Sequence, residues 1–154
     1  MENRTIPCSL YELSDLMYCF CMKYYDSAKQ SHNYGLEENY TMIEIHTVTS
    51  ICDEPGVTVT KLAADARRTK GAISQIVKKL EKKDLIYRLP SREQANAVHL
   101  YVTEKGQRLS QLHKTFDEKG AQAYLDFLYQ YFTREQVESF FAIMKKSMDV
   151  SGVY

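Results

Sequence analysis

The sequence predicts a mainly α-helical fold carrying one small β-hairpin, and three observations predict it. Apolar residues recur at steps of three and four through most of the 154 residues. Between Leu85 and Val102 the apolar period changes to two. From Leu62 to Gly106 a short helix, a tight turn, a basic amphipathic helix and two alternating strands follow one another without a long loop, which is the order of a winged helix-turn-helix. The reading is a single domain over 1–154, with the winged core at 41–106 and dimerisation helices at 9–30 and 107–149.

Leu10, Leu13, Met17, Phe20 and Tyr24 fall on one stripe, so Ser9 to Lys29 reads as a first amphipathic helix. A polar break follows at Ser31 to Asn39. Thr41 caps a second helix bearing Met42, Ile45, Val48 and Cys52. Pro55-Gly56 stops it, because proline cannot continue a helix and glycine accepts the reversed backbone. Thr58 caps a short helix holding Leu62 and Ala63. In the next helix, from Thr69 to Leu80, Ile73, Ile76, Val77 and Leu80 make one stripe and Lys70, Ser74, Gln75 and Lys78 the other. One face packs and the other is left to read a duplex.

Val98, Leu100 and Val102 alternate against Ala97, His99 and Tyr101 as a strand; Leu85 to Leu89 supplies its partner, and Pro90 to Asn96 the hairpin tip. Thr103 caps a long helix with Leu109, Leu112, Phe116, Ala123 and Phe127. Thr133 and Gln136 form a capping box for a last helix with Val137, Phe140, Met144 and Met148. The stripes at the two chain ends are more apolar surface than one small winged helix covers, so a homodimer through the ends is expected.

Twenty basic and twenty acidic residues cancel, and the total favours no partner. Their distribution does. From Lys61 to Arg92 ten basic residues stand against three acidic ones, an excess of seven centred on the candidate reading helix. The apolar runs are far shorter than the roughly 20 residues of a membrane-spanning helix. No leader pattern opens the sequence, and Cys8, Cys19, Cys21 and Cys52 lack paired zinc-ribbon spacing. The expectation is a reduced, cytoplasmic protein with no membrane partner, no metal and no cofactor. Nucleophile elbow, phosphate loop, HExxH and paired catalytic carboxylates are missing, and Ser74 falls on the duplex-facing side without a nearby base, which argues against an enzyme.

Thr41-Met42-Ile43-Glu44-Ile45-His46, Val59-Thr60-Lys61-Leu62-Ala63, the helix from Thr69 to Lys83 and Tyr101-Val102-Thr103-Glu104-Lys105-Gly106 stand in one order. In it the chain resembles the MarR family of bacterial transcription regulators, well over Thr41 to Gly106 and at the two ends by helix pattern. The resemblance implies a homodimer held by the first and last helices, with reading helices in successive major grooves and wings over the flanking minor grooves. It also implies release by a small aromatic or phenolic effector bound between the dimerisation helices and the reading domain.

Two positions depart from the family. Where it usually has Gly and an apolar residue before the reading helix, this chain has Arg67-Arg68, so the turn has to tolerate side chains and Arg68 is placed to reach phosphate. Where the family's wing carries Asp-x-Arg, whose Arg enters the minor groove, stand Gln94-Ala95-Asn96; Arg92 is the nearest cation for that role.

The candidate contacts to a pseudo-palindromic double-stranded DNA operator are Arg67, Arg68, Thr69, Lys70, Gly71, Ser74, Gln75, Lys78, Lys79, Arg88 and Arg92. Gln and Ser can hydrogen-bond base edges, Gln preferring adenine; the lysines suit guanine or phosphate, and Gly71 lets the backbone approach closely. A lysine-rich helix face alone is usually only solvated, and the strand pair behind it is what turns the reading to DNA. Tyr18, Tyr25 and His46 are the candidate effector contacts, since tyrosine couples an apolar ring to a hydroxyl.

Cys19 and Cys21 project about 200° apart on one helix, so they share neither a metal nor an intrahelical disulfide. A core role is weighed against peroxide sensing, which the nearby Tyr18, Tyr24 and Tyr25 suggest by likeness to some relatives. His46 and His113, without a carboxylate or cysteine partner in the pattern, make a poor metal site. An architectural DNA-binding protein needing no effector is the remaining alternative.

Overall fold

Threonines set where five of the six described helices begin, and Ser9 does so for the first. The structure, a computed structural model, describes residues 8–91 and 98–149. Its elements are α1 (Leu10–Ala28), α2 (Met42–Asp53), α3 (Val59–Asp65), α4 (Lys70–Lys82), β1 (Ile86–Pro90), β2 (Val98–Val102), α5 (Glu104–Leu128) and α6 (Arg134–Ser147). Thr41, Thr58, Thr69 and Thr133 each sit in extended backbone and accept a bond from the amide three residues on. Such a cap is worth about 1 kcal/mol, because it satisfies an amide that the helix itself cannot. Thr41 and Thr133 are full capping boxes, closed by Glu44 and Gln136. Thr103 does the same for α5, accepting from the Gly106 amide at 3.1 Å.

The chain divides into two compact units, Met1–Leu112 and His113–Tyr154. In the first, Ile45, Val48 and Ile51 of α2, Leu62 of α3 and Ile73, Val77 and Leu80 of α4 pack with Leu85, Ile86, Leu100 and Leu109 into one buried cluster. The α4 stripe anticipated from spacing is its centre. α1 contributes no buried residue among those described, and Leu10, Leu16, Tyr18 and Tyr24 are all more than three-fifths exposed.

The wing is antiparallel, with Tyr87 opposite Tyr101 and Arg88 opposite Leu100. Its first strand starts one residue later than the sequence suggests, because Leu85 finishes the preceding turn. The Leu85 amide bonds to the Leu80 carbonyl at 3.0 Å, while its own carbonyl accepts from Thr103. Of the three alternating residues Val98, Leu100 and Val102, only Leu100 is fully buried, and Val98 lies exposed at the outer end of the hairpin. Gly56, at φ +88°, turns the chain after α2 and donates to the Leu100 carbonyl, which ties the wing to that turn. The hairpin tip at 92–97, with Arg92 and Asn96, lies outside the described residues.

In the second unit α6 is capped by Thr133, and rings meet as Phe127 with Tyr131 and Phe140 with Phe141. Phe127, Phe132, Ile143 and Met148 are at least half exposed. No described helix is long and apolar enough to cross a membrane.

Candidate nucleic-acid interface

The α3-turn-α4 unit presents the candidate reading surface. Its turn keeps a left-handed residue, and that residue is Arg67 at φ 49°. The sequence reading asked for a turn that tolerates side chains; the finding is that the side chain occupies the left-handed position itself, which non-glycine residues take only uncommonly. The Arg67 and Arg68 amides bond back to the Ala64 and Ala63 carbonyls, and both side chains stand in solvent. Thr69 spends its hydroxyl on the Ala72 amide at 3.2 Å. Lys70, Gly71, Gln75 and Lys78 are exposed, and Ser74 is half-buried beside them.

Nine of the ten basic residues of the positive segment are described, and they separate into two sets. Lys61 bridges Glu54 at 2.7 Å and Asp65 at 2.8 Å, and those two bonds raise its pKa. Lys79 reaches Glu44 at 2.8 Å, Lys83 reaches the same oxygen at 3.5 Å, and Arg88 on β1 reaches Glu81 on α4 at 2.8 Å. By contrast, Arg67, Arg68, Lys70, Lys78 and Lys82 form no ion pair among the described residues. This second set clusters on the start and the outer face of α4, where cations remain available to phosphate.

Glu44 is the residue whose importance the sequence reading missed. Its side chain is only 3% exposed. One oxygen takes the Thr41 amide at 2.9 Å and hydroxyl at 3.0 Å, and the other takes the two lysines. Burial pushes its pKa up, but Lys79, the two Thr41 bonds and Lys83 outweigh burial and hold the carboxyl below its ordinary value. The signal available in the sequence was the capping box Thr41-x-x-Glu44, which brings this acid to the first turn of a core helix.

A cavity of about 760 Å³ opens between α1, α2 and the α3–α4 turn. Tyr25, Lys29, His46, Asp65 and Arg68 supply its polar lining, with Met42, Leu62 and Ile73 as apolar wall. Of the three candidate effector residues, Tyr25 and His46 meet here and Tyr18 does not line the cavity. Lys29 lies over the Tyr25 ring at 4.1 Å. Cys19 and Cys21 are both exposed rather than in the core, and the Cys19 sulfur lies 4.0 Å from the Asp15 carboxylate. A reactive thiol is ordinarily set among cations instead. His113 is buried and does have a carboxylate neighbour, Asp117 one turn on at 3.4 Å, which the sequence pattern had not assigned to it.

Residues 40–95 match the model of the MarR family. By sequence the chain is 30% identical over 104 residues to the uncharacterized HTH-type transcriptional regulator YhjH of Bacillus subtilis (strain 168); the match takes in 68% of this chain and 59% of that protein. Among solved structures it resembles Streptococcus pneumoniae FabT in complex with DNA, with a TM-score of 0.70 and 22% identity over 92% of this chain and 93% of that one. It resembles S. aureus MepR, also in a DNA complex, with a TM-score of 0.69 and 21% identity over 89% of this chain and 96% of that one. At these identities the structures establish likeness of fold.

Proposed function

Starting from a chain that belongs to the MarR family of winged helix-turn-helix transcription regulators, we propose that it binds double-stranded DNA as a homodimer and represses transcription until a small aromatic effector releases it. The observation that carries the DNA reading is the separation of its cations. Arg67, Arg68, Lys70, Lys78 and Lys82 make no internal ion pairs among the described residues, and they surround the exposed Gln75 on a capped, core-anchored helix. Lysine and arginine there neutralise phosphate, while Gln75 and Ser74 meet base edges in the major groove. The structural relatives FabT and MepR, each described in complex with DNA, support the same use of the fold.

Dimerisation follows from α1 and α6, each carrying exposed apolar residues such as Leu10, Leu16 and Phe20 on the one and Ile143 and Met148 on the other. A monomer rarely leaves so much apolar surface in water. The effector reading rests on the cavity that joins Tyr25 and His46 to Arg68, the residue next to the cap of α4. A phenolic acid seated there would engage Arg68 and alter the start of the reading helix, and it can drive release only through unequal affinity for the free and DNA-bound states.

Anisotropy titration with a duplex from beside the chain's own gene, against random-sequence competitor, tests the proposal. Preference for the native duplex, lost on adding a phenolic acid, is expected. Equal binding to every sequence would favour an architectural protein, and release by peroxide in a Cys19- or Cys21-dependent way would replace the pocket with a thiol sensor.

A further inference from the structure

Two of the cations first assigned to DNA have protein partners, one on each flank of the reading helix. Lys79 projects about 100° round α4 from Lys78 and meets Glu44 of α2 at 2.8 Å. Arg88 of β1 meets Glu81, on the other flank of α4, at 2.8 Å. Glu44 is almost fully buried and fixed by Thr41, so its carboxylate cannot follow a departing lysine. Lys83 at 3.5 Å joins the same carboxylate and also lies near Glu38 at 3.8 Å, continuing the tie at the helix end.

Resting on the DNA reading above, we infer that Lys79 and Arg88 are positioning residues: tied to Glu44 and Glu81, they hold α4 between α2 and the wing, while Lys78 and its neighbours carry the phosphate contacts. A cation already neutralised by a carboxylate displaces few counterions from DNA. Glu44 and Glu81 thereby decide which lysines and arginines of a uniformly basic segment are left for the duplex.

Salt dependence separates the two roles, since each phosphate contact contributes roughly 0.9 to the slope of log affinity against log salt. Lys78→Met should lower the slope by about that amount per protomer, roughly 1.8 for the two protomers of a dimer, and Lys79→Met and Arg88→Met by less than about half of it. Glu44→Gln should free Lys79, raise the slope by up to about 0.9 per protomer, and lower the preference for operator over random duplex severalfold. A Lys79→Met loss equal to that of Lys78→Met would overturn the inference, as would a folded Glu44→Gln protein with slope and preference unchanged.

Glu81→Gln, read against Arg88→Met, gives the same test on the other flank if Glu44→Gln fails to fold. If the wild-type protein binds no duplex, the DNA reading falls and the ties are judged without it. Double-mutant cycles of Glu44→Gln with Lys79→Met, and of Glu81→Gln with Arg88→Met, then read by urea unfolding, should show coupling of about tenfold in the unfolding constant; additivity in both overturns the inference.

Discussion

At the scale of single residues, charge on this chain is selected by partners rather than by sequence position. Lys78 and Lys79 are adjacent and chemically identical, yet only Lys79 faces Glu44. Gln75 is exposed on the proposed reading face, and Gln75→Ala should relax specificity at one base position by about 1–3 kcal/mol, measured by competition among single-base operator variants. Glu44 also sets a pH dependence. The groups facing it are Lys79, Lys83 and Thr41, with Glu38 sharing Lys83. Because its folded pKa lies below the ordinary 4.5, the stability it contributes is present above that value and is lost as pH falls through the lower folded one. Thermal melts from about pH 6 down to about pH 3 should show a shallower acid decline for Glu44→Gln than for the wild type. The sequence exposed Gln75 and Lys78 through helical spacing, but not this pairing, since which carboxylate meets which lysine depends on how α2 crosses α4.

At the scale of elements, the helix starts were legible because each is a local event. A threonine oxygen bonds an amide three residues away, and nothing distant decides it. The wing was legible in its period and less so in its limits: Leu85 looks like strand residue but is held by Leu80 and Thr103, contacts that no periodicity contains. The Arg67 turn escaped for a similar reason, since a left-handed arginine is set by the α3–α4 packing around it. The join between wing and α5 is the tightest of these points, for a methyl group on Gly106 would collide with the Leu85 carbonyl oxygen. Gly106→Ala should therefore cost about 1–3 kcal/mol by overpacking, read by urea unfolding, whereas Gly71→Ala meets nothing within 4 Å and should leave stability unharmed.

At the scale of the whole molecule, the exposed apolar residues of α1 and α6 are the surface that the proposed dimer would cover with a second copy. Sedimentation at micromolar concentration should give about twice the chain mass of 17.9 kDa; a monomer would separate the DNA-reading unit from the dimer account. The outer helices were placed by apolar spacing alone, and spacing reported that a face is apolar without reporting what covers it. A two-fold dimer imposes its symmetry on what it reads, so hydroxyl-radical footprinting on the DNA beside the chain's own gene is the most direct test of the account. It should show two protected half-sites related by a two-fold axis, their centres one helical turn of about 10–10.5 base pairs or a multiple of it apart, and lost together in a Gln75→Ala, Lys78→Ala protein. Uniform protection without half-sites, or a footprint that the double substitution leaves intact, would contradict it.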